Sequence, residues 1–75
     1  MKYLVVVERG ESSYGAQVPD LPGCYAVGET EEEVLRLIRD AITLHLEGLE
    51  AAGQPVPRPS STALTVEVPT ATAAV

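Results

Sequence analysis

The sequence predicts a small α+β domain with the element order β-β-β-α-β. Three short segments rich in β-branched and aromatic residues precede residue 28, and turn-forming residues separate them. A long amphipathic segment follows, and it is bounded by a capping motif at Thr30 and by Gly53. An alternating segment comes last, at residues 63–68. Together these observations predict an antiparallel three-strand meander, one helix on one face of it, and a fourth strand.

The three predicted strands are residues 2–8, 14–18 and 24–28. Tyr14, Ala16 and Val18 alternate with other residues, so they should share one face of the second strand. The linking segment PDLPG at residues 19–23 has two prolines, which remove ladder donors, and a glycine, which permits positive φ. We therefore expect a shaped corner there.

The helix signal begins at Thr30, because Thr30 and Glu33 have the spacing of a capping box. Acidic residues in the first turn also complement the positive end of the helix dipole. Gly53, followed by proline, ends the helix near Ala52. Apolar residues at helical spacing predict a stripe against the sheet, formed by Leu35, Ile38, Ile42, Leu46 and Leu49.

The apolar surface of this helix is wider than one sheet face requires. With a step of about 100° per residue it covers an arc of roughly 200°, whereas a stripe a little over about 100° wide is enough to cover a sheet. Val34, Leu37, Ala41 and Leu44 extend the arc beyond the stripe. We therefore expect self-association, as a dimer or tetramer, through an interface formed by Leu37, Ala41, Leu44 and His45.

The chain after the helix is predicted to return to the sheet. Residues 54–59 alternate with proline and form a stiff connector. A right-handed crossover would then place residues 63–68 beside the first strand and parallel to it. Residues 1–68 form the expected domain, and residues 69–75 a short, frayed tail. We expect the sheet face away from the helix either to be covered by a partner or to remain partly exposed to solvent.

The amino-acid composition argues against some classes of function. The net charge of −6, with five scattered basic residues, argues against direct binding to a nucleic acid and favours a basic partner. The alternative is that the charge only keeps the protein soluble. A single cysteine fits a reducing compartment, and no apolar run could span a bilayer, so we expect a cytoplasmic protein without a membrane partner.

Catalytic chemistry is difficult to assemble from these residues. Cys24 and His45 are the only conceivable nucleophile and base, and each reads better as a packed residue. We expect no catalytic residue, no metal site and no cofactor. A weak or relic metal-dependent enzyme would have to use carboxylates near the strands, of which the candidates are Glu8, Asp20 and Glu67.

Two motifs carry a family resemblance. The segment YxAxVPDLPGC at residues 14–24, followed by GxTxEE at residues 28–33, resembles the signature of the HicB antitoxin family. The likeness continues through the helix and the proline-rich connector and covers roughly residues 3–68.

The resemblance implies a partial ribonuclease-H-like fold that has lost its catalytic carboxylates. It also implies a role, since HicB proteins bind HicA toxins, which are small basic mRNA-cleaving proteins, and occlude the surface that meets RNA. The expected partner-binding residues are Tyr14, Pro19, Asp20, Leu21, Pro22, Gly23, Tyr25, Glu29, Glu31 and Glu32.

The chain departs from many members of that family in one respect. They carry a C-terminal DNA-binding domain, whereas only residues 69–75 follow the predicted fourth strand. We therefore expect no autorepression. The alternative function is a non-catalytic, stand-alone oligomeric module of the same fold with another partner.

Overall fold

A computed structural model of the chain describes residues 1–70 and contains three strands and one helix. The strands are β1 (Val6–Arg9), β2 (Tyr14–Gln17) and β3 (Tyr25–Gly28), and the helix is α1 (Glu31–Ala51). The predicted order of these four elements is confirmed, although each strand is shorter than predicted. Of the predicted tail, residues 71–75 lie outside the described residues.

The sheet is an antiparallel meander in the order β1-β2-β3. In its register Ala16 lies opposite Val7 on one side and Ala26 on the other. Residues directly opposite one another point to the same face, so this row of small and branched side chains forms the face on which α1 packs.

The start of α1 is fixed by its capping residues. The Thr30 hydroxyl accepts a hydrogen bond from the Glu33 backbone N–H at 3.0 Å. The Glu33 carboxylate in turn accepts one from the backbone N–H of Glu29, also at 3.0 Å. The predicted cap is thus formed, with the reciprocal bond reaching one residue before the N-cap.

The end of α1 is a Schellman motif. The N–H of Gln54 donates to the carbonyl of Leu49 at 2.9 Å, and the N–H of Gly53 donates to that of Glu50 at 3.0 Å. Gly53 has a φ of 69°, which a residue with a side chain rarely adopts. The chain therefore leaves the helix in a defined direction.

The core lies between the sheet, the corner after β2 and the first half of α1. Leu21, Val34 and Ile38 are its largest fully buried side chains, and Ala16, Val18 and Cys24 complete it. The prediction that Leu35 belongs to the packed stripe is wrong, since 45% of Leu35 is exposed. The part of the apolar arc that contacts the sheet includes Val34 in place of Leu35, and Ala41 also packs there.

Gly28 allows the close approach of β3 and α1. A Cβ atom at this position would lie 2.9 Å from the backbone nitrogen of Val34 and 3.1 Å from a carboxylate oxygen of Glu33. Because the obstructing atoms include helix backbone, a side chain here would push the helix away from the strand.

The predicted fourth strand is not formed within residues 1–70. After the helix come a connector, residues 54–61, and an arm, residues 62–68, and neither contains a strand. Alternation gives the arm the side-chain pattern of a strand, but a strand also needs a neighbour to pair with. No strand of the described chain lies beside the arm, whose side chains are all exposed.

Candidate partner-binding surface

The sheet face turned away from α1 carries two rows of side chains. The strand register places them together, and we name this surface the open face: Val6, Gln17 and Tyr25 in one row, and Glu8, Gly15 and Val27 in the next. Tyr25 and Val27 are 70% and 58% exposed. Neighbouring exposed aromatic and branched side chains on a small domain are typical of a binding surface.

An acidic rim, formed by Glu29, Glu31 and Glu32, follows directly on β3. All three residues are exposed. The rim is held by the cap of α1, because Glu33 binds the N–H of Glu29 and Thr30 binds that of Glu33. The open face thus ends, at the end of β3, next to three exposed carboxylates, and Arg36 lies beside Glu32.

The corner between β2 and β3 is pinned by one buried leucine. Leu21 is fully buried, and its backbone N–H and carbonyl bond to Val18 and Cys24, each at 3.0 Å. Gly23 has a φ of 85° and, like both prolines of the corner, is exposed. Of the predicted corner contacts, Pro19, Pro22 and Gly23 are therefore accessible to a partner, whereas Leu21 is not.

Asp20 is engaged by its own chain. Its carboxylate accepts hydrogen bonds from the backbone N–H groups of Ser60 and Ser61, at 2.8 and 3.0 Å. It also accepts from their hydroxyls, at 3.1 and 2.7 Å. These bonds stabilise the ionised form and lower the pKa of Asp20 from 3.8 to about 2. Asp20 therefore fastens the connector to the corner.

The two tyrosines predicted to share one surface lie on opposite faces of the sheet. Tyr25 is opposite Gln17 on the open face, whereas Tyr14 is half-buried on the face that packs against α1. The structure does not bring Tyr14 and Tyr25 together.

The predicted self-association surface on α1 is only partly accessible. Leu44 is 68% exposed, whereas Leu37 and His45 are half-buried. Ala41 is also half-buried and packs against the core. Leu44 is thus the member of this set with most of its side chain free for contact.

Metal-ligand geometry, thiol reactivity and helix hydropathy can be described for residues 1–70. Residues 1–70 contain no group of three His, Cys, Asp or Glu side chains placed to hold a metal ion. Burial raises the pKa of the Cys24 thiol, which disfavours the reactive thiolate. Within this part of the chain, α1 is also not apolar enough to cross a membrane.

Two features of this surface were not predicted from the sequence. Val27 lies two residues after Tyr25 and therefore shares its face, a signal present in the strand pattern. The pairing of Asp20 with Ser60 and Ser61 spans 40 residues, and no local pattern indicates it.

Comparisons with known proteins agree with the motifs. Residues 3–75 match the family model described as the HicB_like antitoxin of bacterial toxin-antitoxin systems. A UPF0150 protein of Thermoplasma acidophilum is 37% identical over 67 residues, which span 88% of this chain and 97% of that protein. An uncharacterised protein of Haemophilus phage HP1 is 33% identical over 58 residues, which span 77% of this chain but only 44% of the phage protein.

The fold has a match among solved structures. The crystal structure of the N-terminal domain of the Burkholderia pseudomallei antitoxin HicB superposes with a TM-score of 0.70 and 37% sequence identity. The match covers 77% of this chain and 69% of the other. With a family match over nearly the whole sequence and this agreement in fold, the chain belongs to the HicB-like antitoxin family of bacterial toxin–antitoxin systems.

Proposed function

We propose that this protein is a non-catalytic antitoxin module that binds a small, basic, HicA-type mRNA-cleaving toxin and occludes its RNA-binding surface. The observation that carries the proposal is the open face bordered by the acidic rim. It combines exposed apolar side chains with carboxylates, and it belongs to a chain of the antitoxin family.

The open face supplies the contact area. Tyr25 and Val27 project side by side from an edge strand, with the polar Gln17 beside them. Aromatic side chains of this kind are common anchors of protein interfaces, because they bury a large area at a small entropic cost. In the proposed complex these side chains lie against the toxin.

The acidic rim and the net charge supply the electrostatics. A surface that binds RNA must be basic, and the carboxylates of Glu29, Glu31 and Glu32 complement such a surface. The same charge, −6 for the whole chain, opposes direct contact with a phosphate backbone. We place the protein in the cytoplasm, where mRNA is cleaved, with no cofactor.

Self-association is part of the proposal. Leu44 is an exposed apolar side chain on α1, which packs on the sheet face opposite the open face, so a dimer or tetramer that also uses this side would leave the open face free. If the protein has no toxin partner, such an assembly is the alternative function, as a stand-alone oligomeric module.

The test is to mix the purified protein with the small basic protein encoded beside it. We expect co-elution in size-exclusion chromatography and loss of the partner's RNA cleavage at equimolar ratio. Failure to co-elute, or co-elution with undiminished cleavage, would contradict the antitoxin function.

A further inference from the structure

The arm is an apolar strand-like segment whose side chains are not covered by any part of residues 1–70. Leu64, Val66 and Val68 alternate along it and are 84%, 80% and 67% exposed. The intervening side chains are the smaller or more polar Ala63, Thr65 and Glu67. One apolar and one polar side is the pattern of a strand with one face buried.

The same chain has an unfilled, mainly apolar groove beside β1, on the sheet face that packs against α1. Since α1 packs mainly on β2 and β3, a groove of about 670 Å³ remains between the helix and the segment leading into β1. Its apolar walls include Tyr3, Val5, Leu35, Ile42 and Leu46, and Lys2, Arg39 and Thr43 also line it. Next to it, the outer edge of β1 has no neighbouring strand within residues 1–70.

The connector is fastened at two points before the arm begins. The Tyr3 hydroxyl donates to the carbonyl of Pro57, and Asp20 then binds Ser60 and Ser61 at the corner between β2 and β3. The arm therefore starts beside the corner between β2 and β3, and within residues 1–70 it does not pair with the outer edge of β1.

The shape of the molecule agrees with an arm that leaves the body. Its radius of gyration is 15.6 Å and its longest dimension 53 Å. A compact domain of this length has a radius of gyration of about 11 Å. The difference reflects chain that extends beyond the packed sheet and helix.

We propose that the arm of one copy pairs with the outer edge of β1 in a second copy and places Leu64, Val66 and Val68 in the groove of that copy. Reciprocal exchange gives a closed two-fold dimer, in which each arm covers an edge strand and an apolar groove. The fourth strand of the β-β-β-α-β order is then supplied by the partner copy. This inference concerns the protein alone and does not depend on the toxin.

The first test compares two acidic substitutions on the two sides of the arm. Val66→Asp places a charge on the apolar side, and Thr65→Asp places the same charge on the other side. We expect the wild type and Thr65→Asp to be dimers by light scattering after size exclusion. Val66→Asp should weaken the dimer about tenfold or more, with an unchanged helical circular dichroism spectrum. A monomeric wild type, or a Val66→Asp dimer as stable as the wild type, would overturn the proposal.

The second test separates exchange from other modes of self-association. Leu35→Asp puts the charge into the groove at an exposed position, so it should also weaken the dimer while the fold is kept. The Leu35→Asp variant keeps an intact arm, and the Val66→Asp variant keeps an intact groove. We therefore expect a mixture of the two variants to form a mixed dimer. Absence of the mixed dimer, or dissociation by Leu44→Asp instead, would assign the contact to another surface and refute the exchange.

Discussion

Asp20 is a single carboxylate that determines the path of the chain after the helix. Its four hydrogen bonds to Ser60 and Ser61 lower its pKa to about 2, below the ordinary value of 3.8. Because the folded pKa is the lower one, ionised Asp20 stabilises the fastened connector. That contribution is complete above about pH 4 and is lost as the pH falls through about 2.

We therefore predict acid release of the connector. Hydrogen exchange of the Ser60 and Ser61 amides should accelerate, relative to their intrinsic rates, as the pH falls from about 4 to about 2. In Asp20→Asn the same amides should already be less protected at neutral pH. Asp40→Asn is the matched control, since Asp40 is exposed on α1. Equal protection in Asp20→Asn and the wild type would contradict this role.

Gly28 is required by close packing. We predict that Gly28→Ala lowers the free energy of unfolding by about 1–3 kcal/mol, because its Cβ meets the backbone of Val34. Gly15→Ala is the control, since a Cβ there has no atom within 4 Å. Urea unfolding of both variants measures the difference. A Gly28→Ala variant as stable as Gly15→Ala would show that strand and helix separate at no cost.

The N-terminus of α1 depends on the Thr30 cap. We predict that Thr30→Ala lowers the free energy of unfolding by about 1 kcal/mol, because the N–H of Glu33 loses its acceptor. Thr43→Ala, in the middle of the helix, should leave stability unchanged or raise it, since alanine is the better helix former. Thermal unfolding of the two variants tests this, and equal midpoints would argue against the cap.

The helix could be predicted well because its signals are local. The cap, the acidic first turn and Gly53 lie within a few residues of the ends they define. The rotation of the helix about its own axis was harder to predict. When the apolar arc spans about 200°, periodicity does not decide which part meets the sheet. Packing against Leu21 and the sheet buries Val34 and leaves Leu35 exposed.

The arm shows the same limit for strands. Alternation at residues 63–68 predicts a strand-forming segment, and the exposed side chains keep that pattern. The pattern does not say which edge, or which copy of the chain, the segment pairs with. Within the described residues it forms no ladder, and Asp20 binds the connector that precedes it.

The register of the whole sheet determines which side chains form the candidate binding surface. Tyr14 and Tyr25 look equivalent in the sequence, but the corner sets Gln17 opposite Tyr25. Gln17 is three residues from Tyr14, so the two tyrosines point to opposite faces. The acidic rim could be predicted because its residues lie on both sides of the helix cap at Thr30. The open face could not be predicted before the length of the corner was known.

Charge placement should govern the rate at which the protein meets its partner. We predict that Glu29→Lys with Glu32→Lys slows association with the basic toxin about tenfold at low ionic strength. Glu47→Lys with Glu50→Lys changes the net charge equally, but at the other end of α1, and should have a smaller effect. Stopped-flow association at low and physiological salt measures both. Equal slowing by the two pairs would place the toxin elsewhere.

The central claim is that the open face binds the toxin, and a titration of toxin activity tests it most directly. RNA cleavage is measured against increasing amounts of wild type, Tyr25→Lys and Leu44→Lys, which replace side chains of nearly equal exposure on opposite sides of the molecule. We predict stoichiometric inhibition by the wild type and Leu44→Lys, and inhibition at least about tenfold weaker by Tyr25→Lys. Full inhibition by Tyr25→Lys would contradict the account, and loss of inhibition by Leu44→Lys would place the toxin on α1 instead.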